Sequence, residues 1–155
     1  MTFNEHRKLL NDLKRFEAKV PQMVAEMGGI ALNHFIGSFR NQGFTDETLD
    51  KWKPRKRTRY RTRSGNVVDD TTRGILIGKG SGTMRKLRKV KANRYTVFIK
   101  SNEASNRYAR VHNEGLRSGR GNGFKMPKRQ FVGYSRVMNA RIEKKITQII
   151  KTVYK

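Results

Sequence analysis

The 155-residue sequence contains no cysteine, which excludes disulfide frameworks, thiolate metal sites and cysteine nucleophiles. No apolar run approaches the roughly 18 residues that cross a bilayer, so neither a membrane span nor a membrane partner is expected. The opening MTFNEHRKLL holds an acid and no apolar segment, so a secretory leader is not expected there. Hydrophobic residues make up only 35% of the chain, enough for one domain with a modest core. Acids are scarce: 12 Asp and Glu stand against 36 Lys and Arg, a net charge of +24.

That charge is unevenly spread. Residues 1–50 hold six Lys/Arg and seven Asp/Glu, a net −1, which leaves +25 for the rest. Such a field attracts polyanions and repels other copies of itself. Nucleic acid, an acidic protein surface and an anionic membrane are each possible complements on charge alone.

Leu9, Leu10, Leu13, Phe16 and Val20 share one helical face, and Pro21 suits the first turn of a second helix. Met23, Val24, Met27, Ile30, Ala31, His34 and Phe35 continue the period, with an end expected before Gly43. Gly28-Gly29 weakens that helix and lets a neighbour come close. Residues 51–63, KWKPRKRTRYRTR, carry eight bases and no acid; neither helical nor strand periodicity shows there, and residues 51–71 read as a long exposed loop. RKVKANRYTVFIKS reads as a hairpin turning near Asn93. Ser135 is an N-cap candidate for a basic amphipathic helix whose stripe is Met138, Ile142, Ile146, Ile149, Ile150 and Val153. The expected fold is α+β: N-terminal helices, a small antiparallel sheet with a long basic loop, and a C-terminal amphipathic helix, in a single domain over residues 1–155.

Candidate chemistry is thin. His112 has Glu114 close by but no evident nucleophile, and a lone histidine is a weak sign of a general base. His6, His34 and His112 fall in three separate predicted elements, so no metal site and no cofactor is expected. IGKGSGT (77–83) alternates its glycines and so lacks the spacing of a phosphate-binding loop. Within the basic loop, Trp52 and Tyr60 among arginines suit either a nucleic-acid backbone or an acidic partner protein, and the pattern does not separate the two.

Four segments, in order, resemble the tailed-phage virion morphogenesis family of tail completion and head–tail joining proteins: WKP (52–54), SGTMRKL (81–87), YARVHNEG (108–115) and MPKRQFVGYS (126–135). Asn113 stands where the family has glutamine, Gln130 where it has a second proline, and Met84 where it has leucine. The resemblance implies a structural virion protein rather than an enzyme. It implies a homo-oligomer, a hexameric ring, at the phage neck, assembled in the host cytoplasm. There it would join or complete the tail at the head connector, between an adaptor or stopper protein and the tail terminator or tail tube. DNA would pass through its lumen, with transient contact. Trp52, Arg55, Arg57, Arg59, Arg61 and Arg129 are then the expected subunit or partner contacts. Tyr108, His112, Gly115, Pro127, Phe131 and Gly133 are the expected structural motif, with Tyr108 and Val111 turned to the core. The alternative is a small basic nucleic-acid-binding protein, which the +25 favours, although no recognised binding motif is present.

Overall fold

The structure is a computed structural model and describes residues 2–55, 59–69, 74–77, 83–101 and 103–154. The chain runs as helix α1 (Phe3–Asn41), strands β1 (Gly43–Thr45), β2 (Leu49–Lys51), β3 (Arg59–Arg61) and β4 (Val67–Asp69), a 3-10 turn (Thr83–Arg85), strands β5 (Arg88–Lys91) and β6 (Val97–Lys100), helix α2 (Glu103–Glu114), strands β7 (Arg117–Ser118) and β8 (Phe124–Lys125), and helix α3 (Arg136–Val153). The α+β class stands. The described strands form four two-stranded antiparallel ribbons, β1–β2, β3–β4, β5–β6 and β7–β8, instead of one small sheet. Packing divides the chain into two compact units that alternate along the sequence.

The first unit comprises Met1–His34, Arg88–Lys100 and Tyr134–Lys155. Here the expected break at Pro21 does not occur, and α1 runs through the proline without interruption. A proline inside a helix has no N–H for the carbonyl four residues earlier. That carbonyl belongs to Glu17, and the Arg94 guanidinium donates to it at 2.6 Å. Arg94 also pairs with the Glu17 carboxylate at 3.2 Å. A donor from the β5–β6 ribbon thus supplies what the proline lacks, and no local signal in residues 17–21 reveals it.

The same ribbon lies close against α1 at Gly28. A Cβ on Gly28 would stand 2.7 Å from a Val97 methyl, so the weak helix former there permits the close approach expected of it. Lys89 adds a hydrogen bond from Nζ to the Ala25 carbonyl at 3.1 Å. Helix α3 begins where predicted: Ser135 is fully buried and its Oγ accepts from the Met138 amide at 3.1 Å. Of its stripe, Met138, Ile149 and Val153 are buried and Ile142, Ile146 and Ile150 half-buried. Lys145 joins α3 to α1 through an ion pair with Glu26 at 2.8 Å. That ammonium, and then the Gln22 amide, hold the Glu26 carboxyl below its usual range.

The second unit comprises Phe35–Leu87 and Ser101–Gly133, with Phe35, Phe39, Phe44, Trp52, Leu87 and Phe131 as its buried apolar residues. The stretch expected as one exposed loop is partly ordered as a ribbon. Arg59 pairs with Asp69, Tyr60 with Val68 and Arg61 with Val67. Tyr60 and Val68 are half-buried on one face and Arg59 and Arg61 exposed on the other. The period-two signal is only three residues long on each side and is swamped by arginine in the sequence. Ile75 and Leu76 form a turn.

Candidate functional site

Most of the motif residues meet in the second unit, and they meet through backbone groups. Helix α2 ends at Gly115, whose φ of +72° is a left-handed conformation that glycine adopts without cost. The Gly115 and Leu116 amides both return to the Val111 carbonyl, at 2.9 and 3.0 Å. The His112 carbonyl is thereby left for another donor, and the Arg129 amide takes it at 2.7 Å. Asn113 Oδ1 accepts from two successive amides, Phe131 at 2.9 Å and Val132 at 3.0 Å. A Cβ on Gly115 would crowd the Lys128 backbone at 3.0 Å. The end of α2 is thus tied to residues 129–132 by three hydrogen bonds.

Trp52 joins the same assembly. Its amide donates to the Gln42 carbonyl at 2.9 Å and its indole N–H to the Gln130 carbonyl at 2.7 Å. Its ring meets Phe39 edge-on with centroids 5.6 Å apart, and Phe39 in turn packs on Phe131 at 5.0 Å. Such aromatic contacts add to the gain from burial. Arg129 donates from Nε and Nη2 to the Lys53 carbonyl at 3.3 and 3.2 Å.

These placements correct several expectations. Trp52 and Arg129 were expected at a subunit or partner boundary, but both are buried, Arg129 with only 6% of its surface exposed. The reason is long-range: each carries N–H donors that satisfy carbonyls which the crossing of residues 52–53 and 129–130 would otherwise leave bare. Tyr108 was expected in the core and is 60% exposed, while Val111 is half-buried. Helix α2 spans 12 residues rather than one short turn, and that length lets Tyr108 point outward. Phe131 is buried as expected and Pro127 half-buried. Gly133 has a φ of 158°, which is extended backbone; a Cβ there would overlap the Gln130 side chain.

His112 sits half-buried, with Nδ1 enclosed and without a hydrogen-bond partner. Burial first, and the Arg129 charge second, lower its pKa below the ordinary 6.5. The imidazole is therefore neutral at physiological pH. Its expected hydrogen-bonding role is carried by its backbone carbonyl, not its ring. Among the described residues, no group of three or more His, Cys, Asp or Glu side chains gathers at one place.

Within the basic segment, some described side chains face solvent. Arg59 and Arg61 are exposed side by side on β3, and Arg55 is half-buried. Arg57 lies outside the described residues. Sequence reasoning missed Gln42. Its φ of +54° turns the chain after α1, its Nε2 donates to the Phe39 carbonyl at 2.6 Å, and its Oε1 accepts from the Ile75 amide. A lone glutamine before Gly43 carries no signal for that role.

A family model described as the phage virion morphogenesis family matches residues 2–151. The chain belongs to that family, and its role is structural or in assembly, in a phage virion, among other virion proteins. No curated protein and no solved structure matches it.

Proposed function

We propose that this protein forms a homo-oligomeric ring, a hexamer, at the neck of a tailed phage, where it joins or completes the tail at the head connector and lets DNA pass through its lumen. It catalyses no reaction in this reading. Its work is docking between neighbouring neck and tail proteins. The observation that carries the reading is the extent of the family match, which covers nearly the whole chain. The second unit supports it: the motif residues are spent on internal bonds, while Arg59 and Arg61 project from a narrow ribbon toward solvent. Arginine forks of this kind suit carboxylates on an adjoining ring.

A structural protein and a catalyst differ in dose. The test adds purified protein to a lysate of phage that lack it. Particle yield is expected to rise in proportion to protein added, and the protein to remain in the purified particles. Recovery at trace dose, with the protein absent from the particles, would overturn the reading.

The +25 of residues 51–155 also favours a second reading, as a nucleic-acid-binding protein. Duplex contacts would make affinity fall with salt by about 0.9 logarithmic units per phosphate neutralised. Titration against random-sequence duplex at several salt concentrations separates the two, since docking on protein requires a specific partner and has a shallower salt response.

A further inference from the structure

Helix α1 carries one stripe that is covered in one half and bare in the other. From Phe3 the positions His6, Leu10, Leu13, Glu17 and Val20 follow at alternating steps of three and four, and the same alternation runs on to His34. This is the spacing of a seam between helices laid side by side. Beyond residue 20 the first unit covers it: Val24, Met27, Ala31 and His34 are half-buried, and α3 and the β5–β6 ribbon meet the helix beside it, at Glu26, Ala25 and Gly28. From Phe3 to Leu13 nothing among the described residues does. Phe3 is 80% exposed, Leu10 45% and Leu13 48%.

We propose that this bare half of the stripe is where a second copy of the chain docks, helix against helix, so that the N-terminal turns of α1 are the element through which copies join. Three observations select that occupant. The stripe is apolar and continuous with a stretch of the same helix already packed in this way, which asks for another helix. None of the four bases of residues 3–17 falls on it: Arg7, Lys8, Lys14 and Arg15 lie to its sides and back, so it offers nothing to DNA or to any other anion. The charge distribution also limits where two copies can meet. Helix α1 carries six bases and four acids, only +2 of the chain's +24, so α1 is where copies approach with the least repulsion. Of the polar members of the seam, His6 and Glu17, the second is already paired with Arg94.

This inference rests on the ring reading and names the contact that would build the ring. Its test is sedimentation of the full chain over a range of concentrations, beside Leu10→Asp/Leu13→Asp. Wild type is expected at two or more times the chain mass of 18.0 kDa, and the variant at one. Helix content by circular dichroism is expected to be unchanged, because both leucines are already half in water. Leu10→Ser/Leu13→Ser serves as a milder pair should the aspartates lower helicity, and Lys8→Ser/Arg15→Ser, off the stripe, is expected to assemble as wild type does. Wild type that sediments as a single chain throughout overturns the inference, and so does a folded stripe variant that assembles normally. The ring reading is judged separately in the lysate: a monomeric stripe variant that still completes particles overturns the ring reading and leaves the self-docking stripe intact.

Discussion

The end of α2 and the β3–β4 ribbon belong to the same unit and are used in opposite ways. Around residues 112–116 the chain turns its polar groups inward. The His112 carbonyl, the Asn113 amide oxygen and the Arg129 and Trp52 N–H groups are all joined across the crossing segments. Around residues 59–69 Tyr60, Thr62 and Val68 are half-buried, and the arginines face water. The most recognisable stretches of this unit are therefore scaffold, and the stretch with the least pattern turns its arginines to solvent. Substitutions should sort accordingly into those that cost stability and those that cost docking.

The largest loss is expected in the aromatic cluster. Phe131→Ala removes a buried ring that packs on Phe39, at a cost of about 3–5 kcal/mol. Chemical denaturation measures it, and a loss below about 1 kcal/mol would show that the cluster is not core. Asn113→Ala should come next. It strips the acceptor from the Phe131 and Val132 amides, and each donor left unsatisfied in a part-buried site costs about 1–3 kcal/mol. Asn113→Gln, which restores the family's residue, sharpens the comparison: a longer amide that reaches the same two donors would keep most of the stability.

His112 gives a smaller, pH-dependent effect. Its folded pKa is depressed, so below about 6.5 the unfolded chain binds a proton that the folded chain refuses. Stability is expected to be unaffected by this group above that value and to decline as pH falls through it. His112→Gln should flatten the decline between pH 7 and 5, which thermal melts across that range would reveal. An unchanged acid slope in the variant would mean that other groups produce it. The smallest stability effect is expected at Arg59 and Arg61. Changing both to Ser should leave stability within about 0.5 kcal/mol, as for other exposed sites, while lowering particle recovery in the lysate assay. A variant that melts early but docks normally would reverse the contrast between the two regions.

How much of this could be read in advance depended on the range of the interaction. The Ser135 cap, the α3 stripe and the β5–β6 ribbon rest on signals within a few residues, and each is found as expected. The continuity of α1 across Pro21 depends on Arg94, a residue 77 positions away from the carbonyl it serves. The burial of Trp52 and Arg129 depends on contacts spanning 78 and 76 positions. A tryptophan and an arginine inside basic segments look like surface until their donors are matched to bare carbonyls, and that matching exists only in three dimensions. The β3–β4 ribbon was hidden for another reason: strands of three residues give too few alternations to stand out from a run of arginine.

The central claim is that the protein acts as a ring on the phage tail. Negative-stain electron microscopy of the purified protein, alone and mixed with tail tubes that lack it, tests this most directly. The account predicts closed rings of the isolated protein and the same rings capping the head-proximal end of the tubes. Protein that shows no rings and leaves the tube ends bare, while coating added duplex DNA along its length, would contradict it.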